Sequence, residues 1–277
     1  MVNQELLSIQ SLDKTSHPHS ELGRVEMNKS SVTFTGVGFR LEYDGLHSIL
    51  SQIESLSKLF NSSYAIFVFE SPTDQIKDFI TQWATVSPGN RTIIIRTTQD
   101  QKLPREGRIA IARNIALDAY RNSDITTDYL INLDMDIVGW DTGGVMDSFG
   151  QSMYWDVACS NGVILYGIYR DIYAFRATGI NTNHHLAGDD HEKFNISLTQ
   201  RSQNRQSSSS SDHALLIRLD SCFGGMAIYR YESTLATTLV SILVDCEHVL
   251  FHQCLRTQNN ARIVTNRNMY VLSYTYY

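Results

Sequence analysis

From Ser30 onward the chain alternates two signals. SSVTFTGVGF (30–39), YAIFVFES (64–71) and RTIIIRT (91–97) are β-rich runs, and the last two are apolar enough for strands covered on both faces. Between them, LHSILSQIESLSKLF (46–60) sets Leu46, Ile49, Leu50, Ile53, Leu56 and Leu59 at three-to-four spacing. DQIKDFITQWA (74–84) carries a similar stripe, so each segment predicts an amphipathic helix. RIAIARNIALDAYRN (108–122), preceded by Pro104 and Gly107, predicts a further helix, and YLINLDMDIVGW (129–140) a further strand. Strands and helices in this alternation imply a mainly parallel α/β sheet with helices on both faces. Such sheets bind ligands beyond the carboxyl ends of their strands, where Gly36–Phe39, Glu70–Asp74 and Asp134–Asp136 are expected to collect.

Outside this alternation the signals weaken. Residues 1–28 are polar and aperiodic and predict a loose arm, leaving 29–277 as one domain. WDVACSNGVILYGIYRDIYAFR (155–176) reads as strand, turn, strand, and ALLIRLDSCFGGMAIYRY (214–231) as loop then strand. Segment 179–213, with five serines at 207–211, predicts a mobile loop of the length often used as an active-site lid.

Composition narrows the classes. With 277 residues, 42% hydrophobic and 19% charged, the chain is globular and can bury a sizeable core. Its 23 Lys and Arg against 29 Asp and Glu leave a net charge of −6, so no global basic footprint for nucleic acid exists. No run approaches the roughly 20 apolar residues of a membrane span, and the N-terminus lacks an apolar signal core. The expectation is a soluble, cytoplasmic protein. Cys159, Cys222, Cys246 and Cys254 form no CxxC pair, which predicts reduced thiols.

Several groupings can carry chemistry. In Asn132-Leu133-Asp134-Met135-Asp136 the two carboxylates share a face if the chain is extended. Such a pair repels itself unless a cation intervenes, and hard oxygen ligands suit Mg²⁺ or Mn²⁺ with a diphosphate completing the coordination. The plain alternative is a strand-end turn. Arg108, Arg113 and Asn114 fall near the expected helix start and suit a phosphate, or else a solvated helix face. Gly36 and Gly38, and Gly224 and Gly225 in SCFGG, allow close backbone approach to a ligand, or serve only as bulges. Asp245-Cys246-Glu247-His248 opens an apolar helix: either carboxylate is a general-base candidate, or both answer the helix dipole. His248 and His252, four apart, share a helix face where a metal ligand is conceivable. His184, His185, His191, Asp189, Asp190 and Glu192 read as solvated loop residues with at most an acceptor-side role. Trp140, Trp155, Tyr169 and Tyr173 are sugar-stacking or core aromatics, and Asp156 and Asp171 acceptor contacts or turn residues.

Taken in order, VFES, RIAIARN, NLDMDI, YRDIYAFR, SCFGGMAIYR and DCEHVLFHQCL resemble the GT-A nucleotide-sugar glycosyltransferases over about residues 30–270. More narrowly they resemble the fungal capsule-associated mannosyltransferases and the short glycosyltransferases of large algal viruses. The resemblance implies a single GT-A (Rossmann-like) domain with a mixed, mainly parallel central sheet flanked by helices. It implies that Asp134 and Asp136 hold Mn²⁺ or Mg²⁺ on the donor diphosphate, with Arg113 along the diphosphate or donor sugar. Thr35, Gly36, Gly38 and Glu70 would border the nucleoside, and Gly224 and Gly225 the donor sugar. DCEH falls where relatives carry a Glu-Asp pair at a helix start, so Glu247 or Asp245 would be the base. Here His248 follows Glu247, as a possible metal ligand, and no histidine follows His252 where many relatives have a metal-binding one.

The implied activity is glycosyl transfer from a nucleotide-sugar donor to a hydroxyl of a glycan or glycoprotein acceptor. UDP-sugars, UDP-xylose among them, come before GDP-mannose as donors. A sugar nucleotidyltransferase is the second class, although TGVGFR poorly matches a Gly-rich basic phosphate loop. A non-catalytic carbohydrate-binding relative is the third.

Overall fold

The computed structural model describes residues 17–39, 41–87, 89–96, 103, 105–164, 174–177, 216–234 and 246–273. Among these, β1 (Ser31–Phe39), β2 (Ser62–Glu70), β3 (Asn90–Arg96) and β4 (Tyr129–Asp134) form the parallel half of a nine-stranded sheet. The other half comprises β5 (Ile137–Trp140), β6 (Val157–Ile164), β7 (Leu216–Arg218), β8 (Met226–Arg230) and β9 (Ile263–Ser273). The strand order is β3-β2-β1-β4-β8-β6-β9-β5, with β7 pairing on β9. At β8 the direction reverses: it runs antiparallel to both β4 and β6, while β9 runs parallel to β6. The helices are α1 (Ser20–Lys29), α2 (Tyr43–Ser57), α3 (Asp74–Val86), α4 (Arg105–Arg121), α5 (Thr142–Gly150), the short α6 (Tyr231–Thr234) and α7 (Glu247–Asn259).

The run Ala65–Phe69 shows why the sheet is a middle layer. Ala65, Phe67 and Phe69 join one core with Ile49, Ile53, Ile76 and Ile80 of α2 and α3, whereas Ile66 and Val68 join a second core with Ala112, Ala116 and Leu117 of α4 and Phe251 and Leu255 of α7. A strand covered on both faces has no polar side to show, so the sequence there is continuously apolar. Alanines at 110, 112 and 116 are buried on α4. Such small side chains let that helix lie close to β1 and β2.

Three expectations change. The segment 129–140 is not one strand: β4 ends at Asp134, Met135 and Asp136 turn, and β5 departs to pair with β9. The polar stretch 1–28 is not wholly an arm, because Ser20–Lys29 is helical with Gly23 and Met27 buried. α1 packs on α5 so closely that a Cβ on Gly23 would lie 1.7 Å from the Met146 carbonyl oxygen. Lastly, Cys159 of β6 and Cys222, 63 residues apart in sequence, form a disulfide with Cα atoms 5.9 Å apart. Both are fully buried, and only Cys246 and Cys254 are free, so the reduced-thiol expectation fails for this pair. Spacing along the chain carried no sign of the pairing, which the fold creates by laying the loop before β8 against β6. The segment 179–213 lies outside the described residues.

Candidate functional site

The parallel register brings the expected strand ends together. Phe39 pairs with Glu70, Glu70 with Arg96, and Val37 with Asp134, which places these residues along one edge of the sheet. The Asp134 amide donates to the Gly225 carbonyl at 2.9 Å, so the SCFGG turn abuts the end of β4. Gly224 and Gly225 sit at φ +69° and +92°, a region that glycine enters without penalty. Ser160 braces this turn, its hydroxyl donating to the carbonyls of Phe223 at 3.1 Å and Gly224 at 2.8 Å.

Arg113 is the centre of the arrangement. Its side chain is only 5% exposed, and its Nη2 donates to Asp134 Oδ1 at 2.6 Å. Nε lies 3.4 Å from Glu247 Oε1, Nη1 contacts His248 Nε2, and the guanidinium stands 4.5 Å from the centroid of the Phe223 ring. The His248 ring stacks on the same Phe223, centroids 3.8 Å apart. Burial works against the Arg113 charge, but Glu247 and Asp134 more than offset it and hold its pKa above the ordinary value. A guanidinium only donates, so His248 Nε2 is the acceptor and the imidazole is neutral. Burial, then Arg113 and His252, push the His248 pKa well below its usual value in keeping with this.

The structure revises four expectations here. Arg113 and Asn114 stand in the third turn of α4, which begins at Arg105, so neither is at a helix start. Each polar nitrogen of Arg113 faces a protein partner, which leaves it enclosed instead of lying open along a diphosphate. His248, expected beside the metal, turns Nε2 to Arg113. The shared-face argument for Asp134 and Asp136 also lapses, because the chain turns between them; both are half-buried at the end of β4.

Of the residues expected to border a nucleoside, Glu70 is buried and lies 3.2 Å from Arg108 and 3.9 Å from Arg96, with Arg108 over the Phe39 ring at 5.9 Å. Thr35 is 2% exposed within β1. Gly36 and Gly38 do not open the backbone to a ligand: a Cβ on Gly36 would meet Met135 Sδ at 2.9 Å, and one on Gly38 would meet Leu41 and Phe69 at 2.6 and 2.7 Å. Their space is filled by protein side chains.

The C-terminal histidines also separate. His252 is fully buried, accepts the Cys222 amide on Nδ1 at 3.3 Å and meets Tyr229 through Nε2 at 3.1 Å. Burial, then Arg256, bring its pKa down to about 3. It therefore holds the loop of Cys222 in place as a neutral ring and shares no ligand set with His248. Trp140 and Trp155 are core residues, and Asp156 accepts from Arg262 at 2.9 Å, so these are structural. Asp245, Asp171, Tyr169, Tyr173 and the 184–192 cluster lie outside the described residues. Phe223, the floor under Arg113, was not singled out from sequence; its only signal was an aromatic directly before a glycine pair.

A divalent metal is the group the sequence leads one to expect at this edge. Among the described residues no three His, Cys, Asp or Glu side chains gather to hold an ion. Two carboxylates at the end of β4 fit a cation shared with a bound diphosphate better than one caged by protein. No helix among the described residues is long and apolar enough to cross a membrane.

No protein-family model matches the chain, and no curated protein does. Solved structures do resemble it at low identity. S. aureus TarS 1–349 aligns with a TM-score of 0.51 and 12% identity over 88% of this chain and 60% of that one. The mannosyltransferase PcManGT from Pyrobaculum calidifontis, in complex with GDP-Man and Mn²⁺, gives 0.53 and 12% over 90% and 58%. GalNAc-T7 with UDP, GalNAc and Mn²⁺ gives 0.52 and 12% over 90% and 44%. The chain thus spans 60% or less of the length of these neighbours. With its parallel half, reversed β8 and flanking helices, the chain has the GT-A fold.

Proposed function

We propose that this protein is a metal-assisted glycosyltransferase that moves a sugar from a nucleoside diphosphate to a hydroxyl of a glycan. One observation carries the reading: a single buried guanidinium joins Asp134, at the ligand-binding edge of the sheet, to Glu247, the first residue of α7. A metal carboxylate and a proton acceptor are thereby held in one site. Structural neighbours that contain UDP or GDP-Man with Mn²⁺ support the same assignment.

In this reading Asp134 and Asp136 hold Mn²⁺ or Mg²⁺ against the diphosphate. When bound, the ion offsets the negative charge that grows on the leaving group. Glu70, with Arg108 and Arg96, borders the nucleoside, and the Gly224–Gly225 turn lies beside the donor sugar. For inversion, the acceptor oxygen bonds to the anomeric carbon as the bond to the diphosphate oxygen breaks. The hydroxyl proton passes to the Glu247 carboxylate, and the electron pair leaves with the diphosphate. UDP-sugars are the first donors to try, UDP-xylose and UDP-glucose among them, with GDP-mannose as the second arm.

Calorimetry and thermal shift with UDP, GDP and these sugars, each with Mn²⁺ or with chelator, test the reading. We expect stabilisation by one nucleotide family that Mn²⁺ strengthens, with the Mn²⁺-dependent part lost in Asp134→Ala/Asp136→Ala. If no nucleotide stabilises the wild type, the transferase assignment is wrong and carbohydrate binding becomes the function to examine.

A further inference from the structure

We infer that Arg113 is a positioning residue: from inside the protein it sets the Asp134 and Glu247 carboxylates in one frame, with His248 as its neutral acceptor and Phe223 as its floor. The inference rests on the proposed metal-assisted transfer and gives Arg113 and His248 roles different from diphosphate contact and metal ligation.

Enclosure is the first ground. Arg113 is 5% exposed and His248 2% exposed; Nη2 donates to Asp134 and Nη1 to His248, while Nε faces Glu247 as an ion pair at 3.4 Å. At that exposure the guanidinium offers a diphosphate little surface to reach. Geometry is the second. Asp134 ends β4, Glu247 starts α7 and Phe223 precedes the glycine turn, so three separate parts of the chain meet on the one planar cation that α4 carries. A guanidinium presents donors in several fixed directions at once, which an ammonium on a flexible stem does not. The third ground is His248. Its Nε2 lone pair serves Arg113, and its ring lies flat on Phe223 at 3.8 Å, the same ring that stands 4.5 Å from the guanidinium, so one aromatic backs both groups. Outer partners of this kind orient the carboxylates that meet a metal and are typically worth 10–100-fold in its affinity.

The test separates positioning from contact with phosphate. UDP and GDP binding is measured by calorimetry with Mn²⁺ and with EDTA on wild type, Arg113→Lys, His248→Leu and His248→Gln, and melting temperature is recorded alongside. In EDTA the variants should bind the nucleotide as wild type does, while the Mn²⁺-dependent gain falls by about tenfold or more in Arg113→Lys and His248→Leu. His248→Gln, whose amide oxygen can still accept from Arg113, should restore most of that gain. If Arg113→Lys does not fold, the two His248 variants decide alone. Equal losses in EDTA and in Mn²⁺ would mean direct phosphate contact, overturning the inference and leaving the transferase reading intact. A lowered melting temperature with unchanged Mn²⁺-dependent binding would make the cluster purely structural and would also overturn it. Absence of Mn²⁺-dependent binding in the wild type removes the transferase reading and this inference with it.

Discussion

Gly224 and Gly225 share a positive φ but differ in what surrounds them. A Cβ on Gly224 would lie 2.3 Å from the Ser160 carbonyl oxygen and 2.8 Å from the Gly162 amide, both backbone atoms that cannot swing aside. On Gly225 it would meet only the side chains of Val271 and Ile137, at 3.1 and 3.2 Å. Gly225→Ala should therefore cost about the 1–2 kcal/mol of left-handed backbone, and Gly224→Ala clearly more, as read by denaturant unfolding. Equal losses would show that the turn is looser than its contacts indicate. His252 makes a different prediction. Its neighbours are Tyr229, Ser221, the Cys222 amide, His248 and, as the nearby charge, Arg256. Its pKa lies at about 3 in the folded protein, against an ordinary 6.5, so the unfolded chain takes up a proton that the folded one refuses. The stability it supports is complete above pH 6.5 and is lost as pH falls toward 3, by up to about tenfold in the folding constant per pH unit. Unfolding measured at pH 7, 6 and 5 should show that slope reduced in His252→Gln; an unchanged slope would place the proton uptake elsewhere.

Among the elements, α1 was the least legible. Its polar residues are real, with Leu22 and Val25 exposed, and only Gly23 and Met27 are buried. Two buried positions make no stripe that periodicity can detect, and the helix is held by close backbone approach to α5. Gly23→Ala should lower the melting temperature by roughly 2–10 °C, the range expected of overpacking, while Leu22→Ala should barely move it. A silent Gly23→Ala would mean that α1 is not docked as described. In contrast, α2 was legible because five of its expected stripe residues, Leu46, Ile49, Leu50, Ile53 and Leu56, are buried together. The strand expected over 129–140 failed for a reason that no local pattern records. Its second half is apolar like its first, yet it pairs with β9, which lies more than a hundred residues further along the chain.

At the level of the complete fold, the Cys159–Cys222 bond closes a loop across the central strands and ties the SCFGG turn to β6. Chain entropy assigns a closure of that length about 4 kcal/mol. Under non-reducing denaturation a thiol reagent should count two free cysteines of the four, and Cys159→Ala/Cys222→Ala should be destabilised by an amount of that order. Four reactive thiols would refute the bond and restore the reduced cysteines first expected. A buried disulfide and a cytoplasmic site pull in opposite directions, since such bonds persist mainly where thiols are oxidised.

By itself the sequence determined the alternation of strands and helices, the parallel half of the sheet, and the strand end at Glu70. These follow from short-range periodicity and from the rule that parallel strands need crossovers. It also marked Arg113, Glu247, His248 and the glycine pair as chemical candidates, but not their relations. Tertiary structure alone decided that Gly36 and Gly38 make room for Met135, Leu41 and Phe69, that Arg113 is enclosed by Asp134, Glu247 and His248, and that Cys222 meets Cys159. The physical reason is the same in each case. Burial and ion pairing are set by neighbours from other segments: Met135 and Phe69 reach β1 within the parallel half, whereas Arg113 and Cys222 gain theirs only when β8, β6 and α7 close on it.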